Sequence, residues 1–357
     1  MASLGLHISA GKRCFNTYRQ LLHNRHTLLT TIYKPAFEEL ERASPEYEAL
    51  ARSGKVWENY FKPQNLQPYL AAQSKLKETL MNVDKQKDFL HERQDFLKMI
   101  TRALVNEYAH QSTAMEGNQL LLGDSVIIED ELNRQFFNDI DNLTSISTSA
   151  LASLPSANAL LSHGDEDQVV EMRNHIVVSR YLTELGLANH GTSGISLSDI
   201  KSLSRTMLAG TNAERSYALQ WGRRIRPGEF RATPITVKSN RERIFPYPAE
   251  VPACMERFIQ WRDQTHHLRQ LHPVILATHI YVYFCHIHPF PDGNGRVGRC
   301  LMADYMIRQG YLPVVFVDMD RKDSLQMVSD AQDGKPEELC MNVAQTQAEM
   351  LFTLSLR

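Results

Sequence analysis

The sequence has few of the features that identify secreted, metal-binding or membrane proteins. Its five cysteines are scattered and form no CxxC pair, so neither a disulfide framework nor a zinc site is predicted. This cysteine usage fits a reducing compartment. There is no run of about 18 apolar residues, the length that a transmembrane helix needs. The formal net charge of only -2 excludes a global field that attracts nucleic acid or an anionic membrane.

Acidic side chains are absent from the first 37 residues, although acids and bases are balanced over the whole chain. Lysine, arginine, serine and threonine are frequent there, and this composition weakly resembles a mitochondrial transit peptide. A basic amphipathic first helix or a loose terminus is the interpretation we favour. A cytoplasmic location is therefore expected, with a mitochondrial one as the alternative.

Apolar residues recur at helical spacing through most of the chain, which predicts an all-α fold. With 357 residues and 43% hydrophobic content, one large core or a main domain with a smaller one is possible. A serine- and threonine-rich stretch at 142–166 predicts a flexible insertion. The predicted helices cover Tyr33–Ala51, Leu66–Met81, a long segment from Lys85, Asp124–Asp141, Gln168–Leu187, Ser196–Leu208, Pro248–Arg262, Val274–Ile287, Arg296–Arg308, Arg321–Gln332 and Glu337–Leu354.

One short strand signal interrupts the helical pattern. Two apolar runs, 235–237 and 244–245, flank a polar turn between prolines, which predicts an exposed β-hairpin over 233–247. An exposed edge can pair with an extended peptide, so this hairpin is either a substrate clamp or a flap without that role. A loop at 227–231 precedes it.

The most apolar segment, Val274 to Ile287, follows Pro273 and is predicted to be the central helix. It leads directly into His288-Pro-Phe-Pro-Asp292-Gly-Asn-Gly-Arg296-Val-Gly-Arg299. A titratable base, a carboxylate, a glycine turn and two arginines lie within these twelve residues. We interpret them as a nucleotide-phosphate site. The alternative is a glycine-rich turn between helices with a buried, satisfied histidine.

Each part of this stretch suits a phosphate ligand. The turn Gly293-Asn294-Gly295 opens a helix, where backbone N–H groups and the helix dipole favour an anion. Arg296 and Arg299 match phosphate oxygens in a bidentate way. Asp292 is the nearest hard oxygen ligand for a magnesium ion that a polyphosphate brings with it. His288, whose unperturbed pKa is about 6.5, suits a general base that takes a proton from an incoming hydroxyl.

A second candidate carboxylate lies far upstream. Glu116 ends a long helical pattern before Gly117 and Asn118, a pair typical of helix ends. A carboxylate there faces the negative end of the helix dipole. This placement is mildly unfavourable unless a cation such as Arg299 pairs with the carboxylate. The alternatives are a capping box that starts at Thr113 or a solvated side chain.

The stretch from His288 to Arg299 resembles the Fic signature HPFx[D/E]GNGRxxR at every defined position. The resemblance covers roughly residues 105–352 and implies a Fic-type helical array around a central helix, preceded by a helical N-terminal region over 1–104. It implies transfer of AMP from ATP to Ser, Thr or Tyr hydroxyls of a protein, with Mg²⁺ or Mn²⁺. His288 is then the base, Asp292 the metal ligand, and Asn294 with its glycines the phosphate cradle. The two arginines, Arg296 and Arg299, bind the outer phosphates.

The resemblance also implies a flap and an inhibitory motif. Ser112-x-x-x-Glu116-Gly117 is similar to the inhibitory pattern [S/T]xxxE[G/N], within a helix of about 105–122. By that similarity Glu116 pairs with Arg299 and displaces the γ-phosphate of ATP. In similar animal enzymes this glutamate positions a water that removes AMP from a modified protein. The residues of the substrate-aligning flap are Phe230, Arg231, Ile235, Thr236 and Val237.

Departures from the family pattern leave the donor base and the net direction open. Ser324, Leu325 and Gln332 stand on the adenine side, where close animal relatives have tyrosines and an asparagine, so transfer of UMP or GMP stays an alternative. Predominant removal of AMP and a non-catalytic nucleotide-sensing module are two others. The intact His288 and Asp292 argue against the module. We expect a protein substrate and ATP as partners, no nucleic acid, and leave a homodimer open.

Overall fold

The computed structural model describes residues 20, 23–91, 94–137, 153–217, 225–237, 240–317 and 319–355. These ranges contain 16 helices and no strand, which confirms the predicted all-α class. None of these helices combines the length and apolarity needed to cross a membrane. In chain order they are α1 (23–37), α2 (Pro45–Ser53), α3 (Lys55–Phe61), α4 (Gln67–Lys75), α5 (Lys77–His91), α6 (Gln94–Ala114), α7 (Leu122–Gln135), α8 (Ala157–Leu160), α9 (Glu166–Ala188), α10 (Leu197–Leu208), α11 (Asn212–Tyr217), α12 (Val251–Leu268), α13 (Pro273–Ile287), α14 (Asn294–Arg308), α15 (Arg321–Gln332) and α16 (Glu337–Ser355).

Helix starts follow local sequence signals. Ser196 and Asp199 form a reciprocal capping box at the start of α10. At the start of α13, the side chain of His272 accepts the N–H of Val274 at 3.2 Å, and Pro273 occupies the first turn, where its missing N–H costs nothing. These caps fix where both helices begin.

The predicted helix Tyr33–Ala51 is wrong at its centre. Helix α1 ends at residue 37 and α2 begins at Pro45. Ser44 caps α2 by accepting the N–H of Tyr47 at 3.1 Å, which requires an extended backbone before the helix. The cap and the proline therefore split one predicted helix into two.

The chain divides into two compact units. One consists of Met1–Pro63 with Ala232–Cys254, and the other of Gln64–Arg231 with Met255–Arg357. The boundary that we place at residue 104 stays a prediction, and helix α6 runs through that position. Residues 1–19 and the part of the serine-rich stretch at 142–152 lie outside the described residues.

The hairpin predicted over 233–247 does not form paired strands in its described part, which omits 238–239. Its two runs have no regular secondary structure. The backbone carbonyls of the two runs accept hydrogen bonds from side chains of the same unit instead. Arg25 donates to the carbonyls of Ile235 at 3.3 Å and Arg243 at 2.5 Å. Trp57, which is completely buried, donates its Nε1–H to the next carbonyl at 3.1 Å. Because side chains occupy these acceptors, they are not available for a strand ladder.

The other unit is built around α13, as the sequence predicts. Every residue from Val274 to Ile287 is buried, and α14 packs along this helix. The two helices approach closely at Gly298, where a Cβ would lie 2.8 Å from the ring of Tyr281. Helix α9 packs against both α6 and α14. This packing brings the end of α13, the start of α14 and the end of α6 to one place.

Candidate active site

His288 is the residue that ends α13. Its backbone is left-handed, with φ 51° and ψ 59°, which turns the chain out of the helix. The ring Nδ1 lies 3.2 Å from the carbonyl oxygen of Cys285. A carbonyl only accepts, so Nδ1 carries the proton and Nε2 is left with a lone pair. The helix end thus selects the tautomer that a base needs.

The segment after His288 is held by two side chains. Asn294 accepts the N–H of Phe290 at 2.9 Å and donates to the carbonyl of the same residue at 2.8 Å. Arg231 donates from its backbone N–H to Pro289 at 2.9 Å and from Nε to the carbonyl of His288 at 2.8 Å. The side chains of Asn294 and Arg231 are both buried, so they fix the loop and leave phosphate contacts to the backbone of the turn.

The turn that starts α14 has the geometry expected of an anion site. Gly293 caps the helix with φ 73°, a conformation that favours glycine, and the helix has no side-chain cap. The first N–H groups of α14 are therefore available to an anion. Asp292 accepts the N–H of Gly293 at 2.6 Å, and its side chain is 55% exposed. Its Oδ1 lies 3.8 Å from Nη2 of Arg296.

Arg296 is buried and forms an ion pair with Glu171 of α9 through its Nη1. Glu171 also accepts a hydrogen bond from Asn118 at 2.9 Å. Arg296 Nε is buried and has no hydrogen-bond partner among the described residues. Glu171 is not among the residues predicted from the sequence. It lies between buried residues, Val170 and Met172, on a helix that packs in the core.

Arg299 binds the end of α6. Its Nε donates to Oγ of Ser112 at 2.8 Å and its Nη2 to the carbonyl of the same residue at 2.7 Å. The same Nη2 donates to Oε1 of Glu116 at 2.9 Å. The pairing of Glu116 with Arg299 that the sequence suggests is thus present in the structure, and Ser112 is the second contact.

The end of α6 fixes where the Glu116 carboxylate lies. Gly117 has φ 100°, and the N–H groups of Gly117 and Asn118 bond back to the carbonyls of Ala114 and Thr113, which is the Schellman arrangement. The Glu116 carbonyl also accepts from Arg321 Nη1 at 2.6 Å. The sequence thus predicts the helix stop but not the contact with α15.

The Glu116 carboxylate lies directly on the glycine turn. A Cβ added at Gly295 would meet Oε1 of Glu116 at 2.7 Å, closer than real Cβ contacts. A larger residue at this position would therefore push the Glu116 side chain away from the turn.

Burial and charge set the protonation states of the site. Burial lowers the pKa of His288 to about 4, and Arg231 adds to this effect while Cys285 and Glu116 oppose it. His288 is therefore neutral at physiological pH. Burial alone would raise the pKa of Glu116, but Arg299 and Arg296 lower it below its usual value. Glu116 is a carboxylate at neutral pH.

The predicted flap and adenine-side residues lie in several parts of the fold, and their roles stay predictions. Phe230 contacts Phe290 with ring centroids 5.7 Å apart and lies under the ammonium group of Lys201. Ile235, Thr236 and Val237 belong to the other compact unit. In the first turn of α15, Arg321 contacts the Glu116 carbonyl. Leu325, one turn further along this helix, is 40% exposed, and Gln332 is partly buried at its last position.

Asp292 is the carboxylate that could hold a metal at the turn. In the described ranges, no group of three or more His, Cys, Asp or Glu side chains is arranged to bind a metal ion. A magnesium ion often needs one carboxylate, because water and phosphate oxygens complete its shell. A single half-exposed carboxylate beside an anion turn fits such an ion.

Comparison with known proteins finds a family that matches part of this arrangement. The arrangement consists of an all-α unit in which the central helix is followed by a histidine, a glycine turn and two arginines. Residues 194–306 match the Fic/DOC family, and this segment includes the whole stretch from His288 to Arg299. The chain therefore carries a Fic/DOC domain.

Individual relatives match over part of their length. The protein adenylyltransferase Fic of Drosophila persimilis is 36% identical over 110 residues, which are 31% of this chain and 21% of the relative. The protein of the same description from Drosophila virilis is 33% identical over 140 residues, 39% of this chain and 26% of the relative. The matched segment thus spans at most 26% of either relative.

Solved structures show a similar fold. A Fic domain containing signaling protein from Bacteroides thetaiotaomicron gives a TM-score of 0.51 at 20% identity, over 76% of this chain and 95% of that chain. Fic-1 from C. elegans gives 0.53 at 21% identity, over 78% and 70%. At these identities the likeness concerns the fold alone.

Proposed function

We propose that this chain is a protein adenylyltransferase, which transfers AMP from ATP to a hydroxyl side chain of a protein. The observation that carries the proposal is His288, whose Nδ1 contacts a backbone carbonyl, at the end of the central helix and six residues before an uncapped helix that bears two buried arginines. The relatives described as protein adenylyltransferases support ATP as donor and protein as acceptor.

The residues fit one displacement at phosphorus. The hydroxyl oxygen bonds to the α-phosphorus, and the bond from that phosphorus to the bridging oxygen of pyrophosphate breaks. Nε2 of His288 takes the hydroxyl proton, and pyrophosphate leaves with the electron pair. The N–H groups at the start of α14, with Arg296 and Arg299, stabilise the negative charge that the phosphates carry.

A base with a pKa of about 4 is weak in the ligand-free protein. A bound triphosphate adds negative charge beside the imidazole and raises its pKa, because an opposite charge favours the protonated form. His288 is therefore a stronger base when the donor is bound. When no ATP is bound, the hydroxyl of the target side chain therefore keeps its proton.

Asp292 is the residue that would hold a Mg²⁺ or Mn²⁺ ion carried by the triphosphate. Such an ion neutralises phosphate charge and orients the leaving group. Asp292 already accepts the N–H of Gly293, so its carboxylate is oriented by the turn.

We further propose that Glu116 inhibits transfer. Its carboxylate uses Nη2 of Arg299 and lies against Gly295, so a γ-phosphate and the carboxylate compete for one arginine and one space. A second candidate function is hydrolysis of AMP-modified protein. The position of the carboxylate on the glycine turn favours it, because a carboxylate there could orient a water towards bound AMP.

The test is incubation of the full chain with labelled ATP in Mg²⁺ or Mn²⁺. We expect Glu116→Gly to label itself or lysate proteins, and Glu116→Gly/His288→Ala to bind ATP without transferring label. His267→Ala, which changes an exposed histidine of α12, is the matched control and should transfer normally. Full activity of the His288→Ala form would overturn the base assignment. The absence of label from the Glu116→Gly form with all four nucleoside triphosphates would overturn the transferase proposal.

A further inference from the structure

A large cavity lies in the same compact unit as the candidate active site but far from it. Its volume is about 770 Å³, and its walls come from α4, α5, the end of α12, the start of α13 and the end of α14. Its charged lining residues, apart from histidines, are Lys77, Asp84, Lys87 and Arg269. We call it the basic cavity.

The basic cavity and the candidate active site lie at opposite ends of α13. His272 and Pro273, which start the helix, line the cavity, whereas His288 follows the helix end. A 15-residue helix separates the two by about 22 Å. None of the lining residues belongs to the turn from His288 to Arg299 or to the end of α6. A ligand of one site therefore does not contact the other.

Two histidines of the cavity wall, His266 and His272, form hydrogen bonds with neighbouring groups. His272 accepts the N–H of Val274 at Nδ1, so its proton is on Nε2, which lies 3.1 Å from Oδ1 of Asp84. His266 has Nε2 at 3.1 Å from the carbonyl of Gly191, so this nitrogen donates and Nδ1 accepts. These hydrogen bonds fix the orientation of both rings in the cavity wall.

The remaining charges give the cavity a positive excess. Two lysines and one arginine face a single carboxylate, Asp84, which is already bound by His272 and by the hydroxyl of Tyr311 at 2.5 Å. Lys87 also forms an ion pair with Asp88 at 3.8 Å, so the cations of the lining without an ion pair among the described residues are Lys77 and Arg269. With Asp88 counted, the cavity has an excess of one positive charge, in contrast to the formal net charge of -2 of the whole chain. It is therefore a local feature that attracts anions.

Two of the cations are held in unusual positions. Arg269 follows α12 with φ 51°, a left-handed conformation that costs a non-glycine residue free energy. Its guanidinium nevertheless lies in the cavity wall. Lys87 is placed 4.7 Å from the ring centroid of Tyr311, and its side chain is only 19% exposed. The Lys87 side chain is thus partly ordered by Tyr311 and Asp88 before any ligand binds.

We propose that the basic cavity binds a small organic anion with two or more negative charges, of the phosphate ester class. Its volume lies in the range of about 300–1,000 Å³ that is usual for small-molecule sites. Lys77, Lys87 and Arg269 contact the phosphate groups, and the apolar wall formed by Leu80 and Leu271 contacts the organic body. This proposal is independent of the adenylyltransferase proposal.

The test is calorimetric titration of the full-length chain with fructose 1,6-bisphosphate, which carries two phosphates and no base. Fructose and inorganic pyrophosphate are the comparison ligands. We expect the bisphosphate to bind, fructose not to bind, and pyrophosphate, which lacks an organic body, to bind more weakly. Arg269→Gln and Lys87→Gln should each weaken the bisphosphate by about tenfold, because a charge-assisted contact is lost.

Two control variants separate this site from other sources of phosphate affinity. Lys75→Gln removes a nearby exposed cation that pairs with Glu337 outside the cavity and should bind the bisphosphate normally. Arg299→Gln should also bind it normally, because Arg299 belongs to the other site. Binding that is lost in Arg299→Gln, or kept in both Arg269→Gln and Lys87→Gln, would place the bisphosphate elsewhere and overturn the proposal. No binding to the unmodified chain would overturn it as well.

Discussion

The contact between Glu116 and Arg299 makes a quantitative prediction for the variant Glu116→Gln. Glutamine keeps the length of the side chain and an oxygen that accepts from Nη2 of Arg299. It removes the negative charge that competes with a phosphate. The variant therefore separates charge from shape at one position.

The expected magnitude follows from burial and hydrogen bonding. The Arg299 side chain is 5% exposed and Glu116 is 27% exposed, so solvent screens the contact only in part. Glutamine keeps a hydrogen bond from the charged arginine, so what is lost is the attraction between opposite charges, which is up to about 1 kcal/mol at exposed sites and larger where solvent is partly excluded. The loss of inhibition is thus about 1–2 kcal/mol, which corresponds to a roughly 5- to 30-fold gain in apparent affinity for ATP.

Two measurements check this prediction. Titration calorimetry gives the dissociation constant of Mg-ATP for the unmodified chain and for Glu116→Gln. Thermal unfolding should show a lower Tm for ligand-free Glu116→Gln, because Arg299 loses its counter-charge, and a larger increase in Tm on adding ATP. Glu184→Gln, which breaks a more exposed pair with Arg102, is the matched control and should change neither ATP affinity nor its effect on Tm.

The reasoning is refuted by a specific combination of results. If Glu116→Gln binds ATP with unchanged affinity while its ligand-free Tm falls, the carboxylate stabilises Arg299 without competing with phosphate. Glu116 would then be a structural residue, and the inhibitory proposal would be wrong.

Three further predictions concern the same site. Asn294→Ala should destabilise the fold by about 2–4 kcal/mol in urea unfolding, because it leaves the buried N–H and carbonyl of Phe290 without partners; a loss below 1 kcal/mol would contradict the role of this side chain. Because the neutral form of His288 is the base and its pKa is about 4 without ligand, kcat/KM should fall only as pH drops through about 4, whereas kcat should fall at a higher pH because bound phosphate raises that pKa. Gly295→Ala should lower the stability of the unmodified chain by more than it lowers the stability of the Glu116→Gly variant, since the added Cβ meets the Glu116 carboxylate at 2.7 Å. Equal losses of stability in the two backgrounds would show that the contact is absent.

Local sequence signals correctly predicted features that depend on a single helix, such as where it starts or ends. Pro273 and the apolar run behind it gave the start and the centrality of α13, and Gly117 gave the end of α6. Adjacency along the chain also predicted the site from His288 to Arg299, because twelve consecutive residues must lie near one another. The role of Glu116 needed the resemblance to a family, since helix patterns alone left a capping box and a solvated side chain open.

Contacts between distant segments could not be predicted in the same way. The runs around 235 and 244 have the composition of strands, but Arg25 and Trp57 donate hydrogen bonds to their carbonyls. A local pattern cannot predict a hydrogen-bond donor that lies about 200 residues away in the sequence. Glu171 and Arg321 were missed for the same reason. Their partners, Arg296 and the carbonyl of Glu116, become visible only after the helices are packed.

The two bonds from Arg299 to Ser112 have a consequence for the speed of any switch. They do not involve Glu116, so the guanidinium stays in place when the carboxylate departs. The backbone of Glu116 is likewise fixed by the helix end and by Arg321. Departure of the carboxylate then requires rotation about side-chain torsions alone, a motion of picoseconds to nanoseconds for exposed side chains and slower for a partly buried one. Relief of the contact would therefore not wait for the microsecond-to-millisecond rearrangement of whole helices, and donor encounter, not protein motion, would set its rate.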